Sequence, residues 1–103
     1  MKDDSSPVRA AAAKVLANDP DPATTKALAE AAGDKSWLVR AAALEALAKR
    51  GDTSVLNKIA EHMDDDKTAV KYTAAAAVLR LTAIREGRAA ARAMKTNTKS
   101  KQN

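Results

Sequence analysis

The sequence predicts an all-α protein, an α-solenoid of helix pairs repeating about every 31 residues, and three observations carry that prediction. The first is recurrence. Residues 34–48 (DKSWLVRAAALEALA) return 31 positions earlier as residues 3–17 (DDSSPVRAAAAKVLA) and 31 positions later as residues 65–79 (DDKTAVKYTAAAAVL), with no gaps. Asp3, Asp34 and Asp65 coincide, as do Val8, Val39 and Val70, then Ala12, Ala43 and Ala74, then Leu16, Leu47 and Val78. A fixed period of this length marks stacked units that lean on their neighbours to cover an apolar face. The second is composition: 26 of the 103 residues are Ala, Phe is absent, and only Trp37 and Tyr72 are aromatic. Ala is the strongest helix former, and its small side chain lets helices approach closely. The third is that helical periodicity alternates with Pro, Gly and Asp punctuation along the chain.

Taken in order, Asp3, Asp4, Ser5, Ser6 and Pro7 form a helix start, with a Ser to cap, Pro in the first turn and carboxylates at the positive end of the dipole. The helix over residues 7–17 places Val8, Ala11, Ala12, Val15 and Leu16 on one face. Two prolines, Pro20 and Pro22, stop it. A second helix over residues 23–32 faces inward through Thr24, Ala27, Leu28 and Ala31. Gly33 is expected to supply a left-handed C-cap, and Asp34 or Ser36 the next N-cap. A third helix covers residues 37–50, Gly51-Asp52 ends it, and residues 53–63 form a fourth with Val55, Leu56, Ile59, Ala60 and Met63 inward. The third copy of the repeat starts a helix at about residue 68 that overruns the pattern through Ile84; residues 88–94 either extend it or fold back as a cap.

The unit is thus a shorter outer helix followed by a longer, Ala-rich inner one, and the order is inner, outer, inner, outer, inner. The first inner helix lacks an outer partner. This leads to the expectation of a fragment of a longer array, or of self-association through that uncovered N-terminal helix. Residues 1–94 make up the repeat domain, and residues 95–103 (KTNTKSKQN), which hold nothing apolar, are expected to be a disordered basic tail.

Charge narrows the function. The net charge of +5 divides into −1 over residues 1–79 and +6 over residues 80–103. A domain that tracks a phosphate backbone spreads its cations along the array, so this division argues against nucleic acid as the main partner. The rival reading keeps nucleic acid at the C-terminal end, through Arg80, Arg85, Arg88, Arg92 and the lysines beyond. Cysteine is absent, which removes thiol chemistry and disulfides. No apolar run approaches the roughly 18 residues of a membrane span, and there is no signal-peptide core, so a soluble segment without membrane contact is expected.

Chemistry-bearing motifs are missing. His62 is the sole histidine and has no convergent ligands at metal spacing. Asp64, Asp65 and Asp66 lack the Gly and Glu of a calcium loop and suit a helix N-terminus. No phosphate loop, nucleophile elbow or Ser/His/Asp set is present. The expectation is a chain with no catalytic residues, no metal and no cofactor. Arg9, Arg40 and Lys71 could be a phosphate stripe, but each follows an Asp by six residues, which favours a structural ladder between units.

The residues 3–84 resemble HEAT-like repeats of the phycobilisome-lyase type, whose inner helices follow D-x-x-x-x-V-R-x-A-A-A-x-A-L; residues 34–48 match most closely. The resemblance implies a curved array that mostly binds proteins. It also implies a ladder of Asp and Arg between successive units, here Asp3, Asp34 and Asp65 with Arg9 and Arg40. Lys71 departs from the pattern, because a point charge cannot reproduce a guanidinium fork. Partners would be another protein or further repeats of the parent chain. A second alternative is an accessory subunit of a lyase-like enzyme.

If the valines mark the buried direction, the opposite strip carries Ala10, Lys14 and Ala17, then Ala41, Leu44, Glu45 and Ala48, then Tyr72, Ala76, Leu79 and Ala83. That strip is small and apolar, as a protein contact would be. The residues expected to bind a partner are Leu44, Glu45, Ala48, Tyr72, Ala76 and Leu79, with Trp37 as an outlying anchor.

Overall fold

The computed structural model describes residues 5–101, with side chains described over residues 5–95. Five α-helices form it: α1 Ser6–Leu16, α2 Ala23–Ala31, α3 Trp37–Arg50, α4 Leu56–Glu61 and α5 Thr68–Lys101. Two 3₁₀ turns, Thr53–Val55 and His62–Asp64, flank α4, and no strand occurs among the described residues. The inner helices α1, α3 and α5 lie side by side as one layer, and α2 packs against α3 as α4 packs against α5. The anticipated solenoid order is therefore the observed one.

Close approach of alanines and a few large side chains build the core together. Ala43 and Ala74, which are repeat mates, are wholly buried, as are Leu28, Leu44, Val70 and Leu81. Full burial of one such Leu or Val contributes about 1.5–3 kcal/mol, so these few residues outweigh the many alanines around them. The period holds in the outer layer: Thr24, Thr25 and Leu28 are buried on α2, and their mates Val55, Leu56 and Ile59 are buried around α4.

The expected inward faces need correction at three places. On α1, Val8 is 55% exposed and Val15 73%, although their mates Val39, Ala46, Val70 and Ala77 are buried. Ala11 and Ala12 are exposed too; no outer helix lies on this face among the described residues, and α1 instead buries Ala10 and Ala13, in its contact with α3. Ala27 and Ala60 are exposed because the outer helices meet the inner layer through one narrow stripe. Met63 is 43% exposed: it sits in the 3₁₀ turn His62–Asp64, whose tighter winding rotates it off that stripe.

Turn chemistry differs from expectation as well. The one left-handed glycine among the described residues is Gly51, at φ 72°, not Gly33. It closes α3, its N–H reaching the Leu47 and Ala48 carbonyls at 3.3 and 3.2 Å. Ser36 precedes α3 without a side-chain cap; the Asp34 carboxylate accepts the Ser36 N–H at 2.8 Å, which closes the turn before the helix and caps no helical N–H.

The helix of the third copy runs on past the repeat. α5 neither folds back nor stops at Gly87, and its backbone continues as helix to Lys101, through most of the segment expected to be disordered. Gln102 and Asn103 lie outside the described residues. One mid-helix Gly costs only about 1 kcal/mol, and the neighbouring Ala and Arg residues are strong helix formers. Every described side chain from Arg85 to Lys95 is exposed, so α5 overhangs the array. The molecule measures 63 × 28 × 14 Å. No described helix is long and apolar enough to cross a membrane.

Candidate protein-interaction groove

Two rungs fix how the inner helices lie beside each other. Arg9 donates to Asp34 through Nε and Nη2, both at 3.1 Å. Arg40 donates to Asp65 through Nε at 2.8 Å and Nη2 at 3.0 Å. Each pair joins an arginine to the aspartate side chain 25 residues ahead, in the following unit. The same aspartates hold their own turns, since Asp34 accepts the Ser36 N–H and Asp65 the Lys67 N–H. Asp recurs here because one short carboxylate serves both tasks; Glu would hold its oxygens a methylene too far for the turn. The Arg40 guanidinium and the Lys67 N–H draw the Asp65 carboxyl down to a pKa of about 2, and Arg9 with the Ser36 N–H lowers that of Asp34. Asp3 lies outside the described residues. Lys71 forms no rung among the described residues, and the Arg40–Asp65 rung next to it is complete.

A second tether was not foreseen. Arg50, at the end of α3, reaches across to the α1–α2 loop. Its guanidinium donates to the Thr25 hydroxyl at 3.1 Å, to the Leu16 and Asp21 carbonyls at 3.1 and 2.9 Å, and to the Asp19 carbonyl. Arg50 breaks the repeat, with Asp19 and Leu81 as its mates, so periodicity carried no signal for it.

Held in this register, the three inner helices enclose an open groove of about 820 Å³ on the side away from α2 and α4. Its lining runs across the units in rows one period apart: Lys14, Glu45 and Ala76; Ala17 and Ala48; Lys49 and Arg80; Ala42 and Thr73; with Tyr72 at the α5 edge. The floor is alanine methyls. The cations are Lys14, Lys49 and Arg80, against one acid, Glu45. Arg80 is steered by its Nε, which donates to the Ala48 carbonyl at 2.7 Å.

Of the residues expected to contact a partner, Glu45, Ala48, Tyr72 and Ala76 come together in this groove. Tyr72 and Leu79 are each 73% exposed, but Leu79 and Trp37, itself 44% exposed, lie outside the groove lining. Leu44 is not a surface residue: it is fully buried and borders a small crevice with Ala29, Ala32, Leu47, Val55 and Ile59. The reason is the position of α3. As the central helix it carries α2 on it, and Leu44 and Leu47 border the crevice where α2 meets the Val55–Ile59 segment, so its covered arc runs from Val39 through Ala43 and Leu47 round to Leu44. Ala10, at 4% exposure, is buried likewise. Lys49, Thr73 and Arg80 were missed as lining residues, although Asn18, Lys49 and Arg80 share one repeat position, next to the Ala17, Ala48 and Leu79 row that was found.

His62 borders the crevice in the outer layer and not the groove. Among the described residues no cluster of three or more His, Asp or Glu is placed to hold a metal. What the groove offers is shape, a methyl-lined floor and cationic rims. A comparison with curated proteins returns no match. The family model for HEAT repeats matches residues 1–80, a span that includes both rungs, four of the five helices and the first part of the fifth. That family stacks helices into solenoids, generally without catalysis and commonly as protein-interaction scaffolds; the chain belongs to the HEAT repeat family.

Proposed function

We propose that the chain is a non-catalytic protein-interaction scaffold whose contact surface is the groove across α1, α3 and α5, with Glu45, Ala48, Tyr72 and Ala76 at its centre. The observation that supports this reading is the alignment of small apolar side chains from three successive units into one concavity of about 820 Å³. The paired arginines and aspartates order the surface before a partner arrives, so binding costs little conformational entropy. Trp37 and Leu79 serve as outlying anchors on either side, aromatic and apolar contacts being the ones that carry interface energy.

The chain has no cysteine, so a single introduced thiol can carry a photo-crosslinker. With Ala76→Cys, partner polypeptides are expected to become attached, and with Ala27→Cys on the exposed side of α2 they are not. Ala48→Trp with Ala76→Trp, which fills the groove, is expected to abolish attachment of the same partners to a crosslinker at Glu45→Cys. Equal labelling from the α2 position, or capture that survives the filled groove, would remove this surface from the account.

A further inference from the structure

The overhang of α5 arranges its cations in a way no disordered tail would. Arg85, Arg88, Arg92 and Lys95 follow one another at intervals of three, four and three residues, the spacing of a single helix face. By the same register they continue the stripe that carries Val70, Ala74, Ala77 and Leu81 into the core. Past Ile84 no other described helix covers that stripe, and all four cations are exposed. The single acid of the overhang, Glu86, falls on the opposite side by the same register. Four positive charges thus lie in a line about 15 Å long, at 1.5 Å of rise per residue.

We propose that this stripe is a second interaction surface, separate from the groove, and that it binds the phosphate backbone of double-stranded nucleic acid without reading its sequence. Three features select that partner. Three of the four cations are arginines, which hold phosphate oxygens in a two-pronged way. No aromatic or large apolar residue interrupts the line, so it lacks the anchors that carry affinity for a polypeptide. Apart from Glu86, the reverse side of the overhang carries alanines and Met94, too little apolar bulk for insertion into a bilayer. The near-neutral array of residues 1–79 adds little attraction of its own, so the contact is confined to the overhang.

The test uses the full chain and a fluorescent 20-base-pair DNA duplex, with anisotropy read at several salt concentrations. Four phosphate contacts predict that affinity falls about a hundredfold between 50 and 200 mM salt. Arg88→Glu with Arg92→Glu is expected to abolish binding. Lys26→Glu with Lys58→Glu, the same charge change on the exposed sides of α2 and α4, is expected to leave it within about threefold. Gly87→Pro keeps every charge and breaks the helix; it is expected to weaken binding at least tenfold while the circular dichroism of the array persists. Undiminished binding by Gly87→Pro would overturn the stripe in favour of a mere charge run. Equal binding to poly-glutamate, or attachment to phosphatidylserine vesicles without attachment to DNA, would overturn the choice of partner, and no binding to any of the three would overturn the surface itself.

Discussion

Arg40 grips Asp65 with two nearly parallel hydrogen bonds of 2.8 and 3.0 Å, while its remaining nitrogen, Nη1, donates to the Asp34 and Lys35 carbonyls at 3.0 and 3.1 Å. One planar side chain therefore ties the turn before α3 to the turn before α5. Lysine carries the same charge but cannot donate in both directions from one plane. Arg40→Lys is expected to cost about 2 kcal/mol, the scale of hydrogen bonds to a charged group, measured as a lower urea midpoint at unchanged slope. Lys71→Arg, at the repeat position that makes no rung among the described residues, is expected to change stability by less than about 0.5 kcal/mol.

The same rung sets the response to acid. The Asp65 carboxyl has its pKa drawn down to about 2, below the value near 3.9 of an unfolded chain. A depressed folded-state pKa means that the unfolded chain binds the proton first, so this contribution is fully present above about pH 4 and is lost as pH falls towards 2. Asp34 shifts in the same direction through Arg9 and the Ser36 N–H. Denaturant unfolding followed from pH 6 to pH 2 is expected to show a steep loss below pH 4 in the parent chain. Asp65→Asn, already without the charge, is expected to start lower and to fall less; equal slopes for the two would show that the rung contributes nothing at neutral pH.

Much of this was legible because repetition multiplies a weak signal. Val39 alone is one apolar residue; Val39 with Val70 and Val8 at one spacing defines a direction, and α3 and α5 follow it. What the period could not convey was what lies on each side of a given copy. Val8 occupies the same position as Val39 and is exposed because no described helix covers it, whereas Leu44 looked like surface by its angle from Val39 and is buried where α2 and the Val55–Ile59 segment meet. Half of the groove was found for the same reason: Glu45, Ala48 and Ala76 lie on rows that recur, while the Arg50 tether occurs once. The course of α5 past Ile84 stood open between extending and folding back because no earlier copy of the repeat runs that far; the helix propensity of the Ala and Arg residues there favours extension.

Arg50 offers a test of whether a non-repeating contact matters. Its guanidinium bonds to four groups of the α1–α2 loop and the start of α2, and Thr25, one of them, is 6% exposed. Arg50→Met keeps the aliphatic stem and removes every one of those bonds. The expected cost is about 1–2 kcal/mol, with hydrogen exchange rising first at the amides of α2 and only slightly in α5. Exchange that rises uniformly would mean that the array unfolds as one unit and that the tether has no local role.

Glycine to alanine should act differently at Gly51 and Gly87. Gly51 sits at φ 72°, and a Cβ there would meet Ile84 Cδ1 at 3.5 Å, ordinary contact. Space is therefore not the obstacle; the left-handed backbone is, at about 1 kcal/mol for an L side chain. Gly87 lies inside α5 with nothing within 4 Å of an added Cβ, so Ala gains helix propensity of roughly 0.8–1 kcal/mol. Gly51→Ala is expected to lower the urea midpoint of the whole array. Gly87→Ala is expected to leave that midpoint almost unchanged while raising helical ellipticity, because the overhang contributes no core contacts and its order is decided locally. A fall in midpoint with Gly87→Ala would show that the overhang is packed against the array after all, and would place the arginine stripe in contact with protein instead of solvent.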